Sequence, residues 1–264
     1  MVDLQQFEDQ GYVIGRALFS LDEIEGIRES FMQLAGEGPV PGLSDILPDA
    51  DTADPLSRYP RVMMPHRRED LEAGRLSKRY LLDPRIGDVL RDVMHDEPVA
   101  VQSMFYFKPA GARGQDFHQD NFYLRVKPGT CYAAWVAVDA SNEENGGMMV
   151  VPGSNKLELL CPEEADSKKF FTTEHLDVPD GMSAVTMRLQ PGDVLFFNGS
   201  VIHGSHPNSS TDRMRRAFIC HYIPRATAQV SHWYNPCLGF DGEELRMQEN
   251  PDGGPCGTII KGRH

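Results

Sequence analysis

Along the first third of the chain, apolar residues recur at helical spacing. From about residue 98 that spacing gives way to short alternating runs. The start predicts a short helix over 4–10 and a strand over 12–18. Ser20 is placed as an N-cap, and Glu23 three residues later completes a capping box. The helix it opens, over 21–35, carries Ile24, Ile27, Phe31 and Leu34 on one face. Residues 36–55 are rich in Gly, Pro and Asp and predict a long loop of the kind that serves as a lid or binding loop. Two further helices are expected near 68–76 and 85–94.

Beyond residue 98 the β-rich runs are 99–108, 117–126, 131–138, 148–151, 184–189, 194–198 and 217–223, each bounded by Gly, Pro or Asp. Short strands with turn signals between them predict a sandwich or barrel. Helices gathered toward the N-terminus predict a layer packed outside it. The expected fold is therefore mainly β with flanking helices, a double-stranded β-helix (jelly roll) of the cupin kind. The 264 residues suit one domain: a helical layer over about 1–97, a jelly-roll core over about 98–225 and a tail over 226–264. The tail is Gly/Pro-rich from about residue 233 and carries no clear pattern.

Lys and Arg total 26 against 39 Asp and Glu, a formal net charge of −13. That balance argues against nucleic acid and against an anionic membrane as partner, and leaves a small-molecule substrate. Cys131, Cys161, Cys220, Cys237 and Cys256 are odd in number and form no CxxC pair, so neither a disulfide framework nor a zinc ribbon is expected. A reducing, cytoplasmic setting follows from that reading. The first residues are acidic and polar, unlike a signal peptide, and no apolar run approaches the roughly 20 residues of a membrane span.

The chemistry is carried by His118, Asp120 and His203. Two histidines and a carboxylate form the facial triad of non-haem iron(II) oxygenases, leaving three positions open. Residues i and i+2 of a strand share a face, so His118 and Asp120 are expected to reach one ion, with His203 brought alongside by a distant strand. A second His-x-Asp pair, His175 and Asp177, competes. It lies in a charged stretch too close to His203 for a barrel to close between them, whereas His118 sits in the aromatic run 116–124 with several strands before His203. His203 follows a Pro-Gly-Asp turn and an apolar strand. His206, His221 and His232 are the other candidates, and His221, inside a strand, reads as a packed core histidine.

With those residues in place the sequence resembles the phytanoyl-CoA dioxygenase family, which includes ectoine hydroxylase. The resemblance rests on the run 117–124, the turn Val151-Pro152-Gly153-Ser154-Asn155-Lys156, His203-Gly204-Ser205, and Arg215-Arg216-Ala217 before Cys220-His221-Tyr222. It implies Fe(II), 2-oxoglutarate and O2, with His118, Asp120 and His203 as iron ligands. Arg215 is implied as the anchor of the distal carboxylate of 2-oxoglutarate, a task suited to a planar guanidinium. Arg213 and Arg216 are its rivals, and Arg213 shares its strand parity. Trp135, Ser205 and Met104 match positions lining the cosubstrate pocket. Lys108 resembles a cosubstrate-binding lysine and Gln102 a substrate-contacting glutamine.

Asn121-Phe122-Tyr123 departs from the ectoine hydroxylase pattern, which puts ectoine as substrate in doubt. Related halogenases replace the carboxylate ligand with a small residue, and Asp120 keeps it. The implied reaction is hydroxylation of an unactivated C–H bond of a small organic metabolite, with release of succinate and CO2. A zinc-dependent hydrolase or isomerase on a cupin barrel and a non-catalytic cupin-like binding protein remain as alternatives. The first would leave Arg215 and Trp135 without a role, and the intact triad argues against the second.

Overall fold

The structure is a computed structural model that describes residues 2–46 and 54–251. Helix α1 (Leu4–Gln10) is capped by Asp3, whose side chain accepts from the Gln6 N–H at 3.0 Å. Strand β1 (Tyr12–Gly15) stops short of the predicted residue 18. Ala17 turns the chain with a φ of 46° and gives its N–H to Asp193. Helix α2 (Leu21–Gly36) has the predicted capping box and buries Ile24, Ile27, Phe31 and Leu34.

The 36–55 stretch is not all loop. It contains β2 (Ser44–Asp45), which pairs with β3 (Arg61–Met63) beyond α3 (Pro55–Arg58). Its residues 47–53 lie outside the described residues. Helices α4 (Glu72–Leu81) and α5 (Pro84–Met94) complete the helical layer, α4 starting later than predicted and α5 capped by Asp83.

The strands that follow are β4 (Pro98–Lys108), β5 (Gln115–His118), β6 (Tyr132–Ala137), β7 (Met148–Val150), β8 (Glu163–Glu164), β9 (Glu174–His175), β10 (Val185–Thr186), β11 (Val194–Asn198), β12 (His203–Ser205) and β13 (Arg215–Pro224). A large antiparallel sheet runs β1-β11-β6-β13-β4, with β3 also pairing on β4. A smaller one runs β10-β7-β12-β5. Side chains from both sheets, among them Met104, Trp135, Leu195, Phe197 and Ile219 from the large and Met148 and Val150 from the small, share one inner core. This is the expected cupin jelly roll.

All eleven residues of β4 are buried, because both faces of the large sheet are covered. Alternation sends Phe105, Phe107, Phe218 and Tyr222 outward against Phe31, Leu81, Ile86 and Leu90 of the helices. The Phe31 and Phe105 rings stack at 3.9 Å. The intervening residues face the interior between the sheets, so helices support one face and leave the other for chemistry.

Two expectations are corrected. The predicted strand over 117–126 ends at His118 and becomes a helical turn, α6 (Asn121–Leu124). The Asp120 carbonyl accepts the N–H groups of Tyr123 and Leu124, while Asn121 gives its N–H to Gly199, so the strand ladder has no donors left to continue. The tail is also structured. After β14 (Gln229–Val230), β15 (Cys237–Gly239) adds to β4 by pairing Leu238 with Ala100, followed by β16 (Glu244–Leu245) and β17 (Gln248–Glu249).

No helix among the described residues is long and apolar enough to cross a membrane. Cys131, Cys220 and Cys237 are buried free thiols, but Cys161 is disulfide-bonded. One bonded cysteine is not a framework, yet it removes the support the cysteines lent to a reducing compartment.

Asp193 closes the turn before β11. Its carboxylate accepts from Ala17 N–H at 2.8 Å, Gln190 N–H at 2.9 Å and Arg16 Nη1 at 2.7 Å. Burial alone would raise its pKa, but these donors outweigh burial and hold it below the usual aspartate value. Asp193→Ala is expected to cost about 1–3 kcal/mol, because it orphans two backbone donors. A depressed pKa gives stability that is full above the unfolded value, near 3.9, and is lost as pH falls through the folded value. Urea midpoints of wild type and Asp193→Ala should therefore differ most at neutral pH and converge in acid. A gap that stays constant into acid contradicts this account.

Candidate active site

Strand pairing of β12 with β5 sets His203 directly opposite His118. Gly204 permits the approach, since a Cβ there would meet the Gln115 carbonyl oxygen at 2.8 Å. Asp120 does not arrive from the strand, as the i, i+2 argument supposed. Its backbone is helical (φ −59°, ψ −35°) at the start of α6, and that turn swings the carboxylate back toward the two rings. Asp120 Oδ1 lies 3.6 Å from His118 Nε2 and 3.5 Å from His203 Nε2. One donor atom from each of the three falls within 4.8 Å of the others, and all three residues are buried.

Main-chain carbonyls fix both imidazole tautomers. His118 Nδ1–H donates to Asp116 O at 2.8 Å and His203 Nδ1–H to Val201 O at 2.9 Å. The Nε2 lone pairs are thereby left to face an ion. Burial, with His203 close by, pushes the His118 pKa down to about 3, which keeps that ring neutral and able to ligate. Burial acts the same way on His203, but Asp120 overrides it and holds the pKa above the ordinary value.

The other histidines sort clearly. His175 lies outside the cluster; its ring bonds Asp116 Oδ2 at 2.9 Å and Asp177 Oδ1 at 3.2 Å, tying β9 to β5. His206 meets the Thr186 hydroxyl at 2.9 Å, and His232 stacks on Trp233. His221 is buried as expected, but its Nε2 bonds Asp120 Oδ2 at 3.0 Å. Its burial is legible from its place within a strand, and its partner is not.

A pocket opens beside the triad, with about 340 Å³ of empty space when the adjoining open solvent is included. Its walls include Met104, Trp135, Met148, Phe197 and Ile219, with Ser205 and Arg215 at the polar end. Arg215 is buried. Its Nε donates to Gly146 O at 3.1 Å, its guanidinium lies 5.4 Å from the Trp135 ring centroid, and its Nη1 has no hydrogen-bond partner among the described residues. Burial lowers its pKa to about 10, which leaves it charged at neutral pH. Arg216 instead grips Asp139 on the outer side, and the half-exposed Arg213 pairs with Glu144. Of the three arginines, only Arg215 enters the cavity.

Ser205 and Lys108 act as a pair. Lys108 Nζ donates to Ser205 Oγ at 2.6 Å and to His206 O at 2.7 Å, and the Gln115 N–H donates to the same Ser205 oxygen at 3.2 Å. With both lone pairs engaged, the Ser205 hydroxyl is left to donate. Lys108 does not line the main cavity. It lines a second one, which shares Tyr106 and Arg215 with the first and is walled by Leu56, Tyr59, Pro60 and Phe171. Gln102 is fully buried opposite His221 in the strand pairing and is not among the lining residues.

Sequence reasoning missed Gly146. Its carbonyl receives Arg215, and a Cβ there would strike Lys108 Cδ at 2.2 Å. The Asn-Gly-Gly run signals a turn, but no pattern says which carbonyl an arginine will find. Gln115 was also missed; its Nε2 donates to His118 Nε2 at 3.1 Å, directly at the ion's position.

The donor set of two imidazoles and one carboxylate suits iron(II). The unsatisfied nitrogen of Arg215 suits the far carboxylate of a dicarboxylic 2-oxo acid. Fold and site thus define a non-haem iron enzyme dependent on 2-oxoglutarate. Residues 7–217 match the family model for phytanoyl-CoA dioxygenase, and the chain belongs to that family.

Among curated relatives, phytanoyl-CoA dioxygenase 1 of Oryza sativa is 29% identical over 55% of this chain, which spans about half of the rice protein (52%). Ectoine dioxygenase of Sphingopyxis alaskensis is 26% identical over 81% of this chain and 72% of its own length. Among solved structures, the epimerase SnoN in complex with Fe3+, alpha ketoglutarate and nogalamycin RO superposes with a TM-score of 0.67 at 20% identity, covering 85% of this chain and 83% of SnoN.

His118→Ala and His203→Ala should each abolish stoichiometric Fe(II) binding in anaerobic titration, because two remaining donors hold iron(II) poorly in water. His175→Ala should bind iron like wild type. Full iron affinity in either of the first two variants would overturn the ligand assignment.

Proposed function

We propose that this chain hydroxylates an unactivated C–H bond of a small organic metabolite: R–H, 2-oxoglutarate and O2 give R–OH, succinate and CO2. The observation that carries the reading is a cavity with the intact carboxylate Asp120 at one end and the half-satisfied guanidinium of Arg215 at the other. When bound, iron and 2-oxoglutarate supply the oxidising power for C–H cleavage. The chain's residues hold and shape the site. His118, Asp120 and His203 would hold the ion. Arg215 pairs with the distal carboxylate while the Ser205 hydroxyl, held by Lys108, donates a further bond. Met104 and Trp135 wall that pocket and keep water from it.

The apolar lining by Met148, Phe197 and Ile219 supports a reacting carbon in an apolar part of the substrate. The small-molecule partner rests on this pocket and on the net charge of −13, which disfavours nucleic acid and anionic membranes. Arg215 and Trp135 both have work in this reading and none in a zinc hydrolase.

Losing one member of a buried charge pair costs on the order of 2–5 kcal/mol, roughly thirtyfold or more in affinity. Arg215→Ala should therefore weaken 2-oxoglutarate binding by at least about that factor while Fe(II) still binds. Arg215→Lys should recover only part, lacking the planar fork. Arg213→Ala and Arg216→Ala should leave affinity unchanged. The measurement is 2-oxoglutarate titration into the anaerobic iron protein, followed by its weak visible charge-transfer band. A wild type without the band, or an Arg215→Ala variant with undiminished affinity, sinks the proposal. Succinate release and product analysis across candidate metabolites then identify the substrate and test whether a hydroxyl is what the product gains.

A further inference from the structure

We propose that His221 is a positioning residue that keeps Asp120 a one-oxygen ligand. This rests on the iron and 2-oxoglutarate reading given above. The two carboxylate oxygens of Asp120 have different surroundings. Oδ1 faces the Nε2 atoms of His118 and His203 at 3.6 and 3.5 Å, where an ion would sit. Oδ2 points away from them and accepts from His221 Nε2–H at 3.0 Å, with both side chains only 1% exposed.

The count of coordination positions gives this bond its importance. Two imidazoles and a one-oxygen carboxylate occupy three of the six positions of an octahedral ion, leaving three. A chelating 2-oxo acid needs two of these and O2 the third. If Oδ2 also turned onto the ion, the carboxylate would take a fourth position and one cosubstrate atom would be displaced. Rotation about the last side-chain bond of Asp120 is all that separates the two states. The backbone cannot prevent it: α6 fixes where the Asp120 Cα lies, not how its carboxylate turns.

His221 is well placed to prevent it. It sits on β13, in the middle of the large sheet, opposite Ala133 of β6 on one side and Gln102 of β4 on the other. The register of β13 with β4 shifts immediately after it, between His221 and Tyr222. Residues 215, 217, 219 and 221 share one face, so the strand that presents Arg215 to the cosubstrate also presents His221 to the metal ligand. A partner on so constrained a strand holds Oδ2 in one direction. Partners of this kind, acting through a ligand, typically change metal affinity or activity by about 10–100-fold when removed.

The test compares His221→Phe and His221→Leu, which remove the donor, with His221→Gln, which keeps an N–H donor. Melting of each metal-free protein identifies variants that fold, and either folded donor-less variant decides. Anaerobic Fe(II) titration and then 2-oxoglutarate titration at saturating iron are read by binding and by the visible charge-transfer band, which requires the chelated cosubstrate. In the donor-less variants, 2-oxoglutarate affinity is expected to fall by about tenfold or more, with a weakened band at saturating iron. His221→Gln should restore both to near wild type. A donor-less variant that melts like wild type and binds 2-oxoglutarate with wild-type affinity and band overturns the proposal, as does a glutamine variant no better than phenylalanine. A wild type that forms no band with Fe(II) and 2-oxoglutarate overturns the underlying reading instead.

Discussion

A carboxylate removed entirely from water must be compensated, and the site is organised around that requirement at Asp120, which has no exposed surface. Burying an anion is costly unless partners are supplied in good geometry. Here three imidazoles converge on it from three strands: His118 on β5, His203 on β12 and His221 on β13. Those strands belong to both sheets. The single buried group therefore ties the two layers of the jelly roll together at the point where an ion is to bind.

The large sheet makes this arrangement affordable by dividing its labour between faces. On β4 and β13, one parity packs phenylalanines against the helices, and the other carries Met104, Tyr106, Arg215 and His221 toward the interior. The helical layer thus contributes nothing directly to the site, yet its packing fixes the strand positions from which every inward residue projects. Arg215 and Arg216 show how sharply the division falls. Adjacent in sequence, one closes the cavity and the other grips Asp139 on the opposite side.

Much of this was legible in the sequence because it is local. The capping box at Ser20, the apolar face of α2 and the 217–223 part of β13 follow from spacing alone, while the start of β13 at Arg215 does not. The metal histidines were found through motif order, and His175 was set aside for its surroundings. The strand over 117–126 failed because its aromatic residues favour a strand, while the backbone bonds of Asp120 and Asn121, made to α6 and to Gly199, favour a turn. His118 and Asp120 do come together, but through the turn at Asp120 and not through a shared strand face. Long-range partners left no local trace: the Gly146 carbonyl under Arg215, the reach of Lys108 through Ser205, and the addition of Leu238 to the edge of β4. The parity argument could not separate Arg213 from Arg215. The structure does so because Arg213 precedes the strand and stays half-exposed beside Glu144.

Lys108 and Arg215 are both buried, and both bond only to neutral oxygens among the described residues; burial, with the Arg215 charge beside it, holds the Lys108 pKa well below the ordinary lysine value. Two basic groups held in this way are a thermodynamic liability to the free protein. Replacing them with apolar side chains of like size would relieve that burden and strip the pocket of its basic groups at once. Here stability and turnover pull in opposite directions.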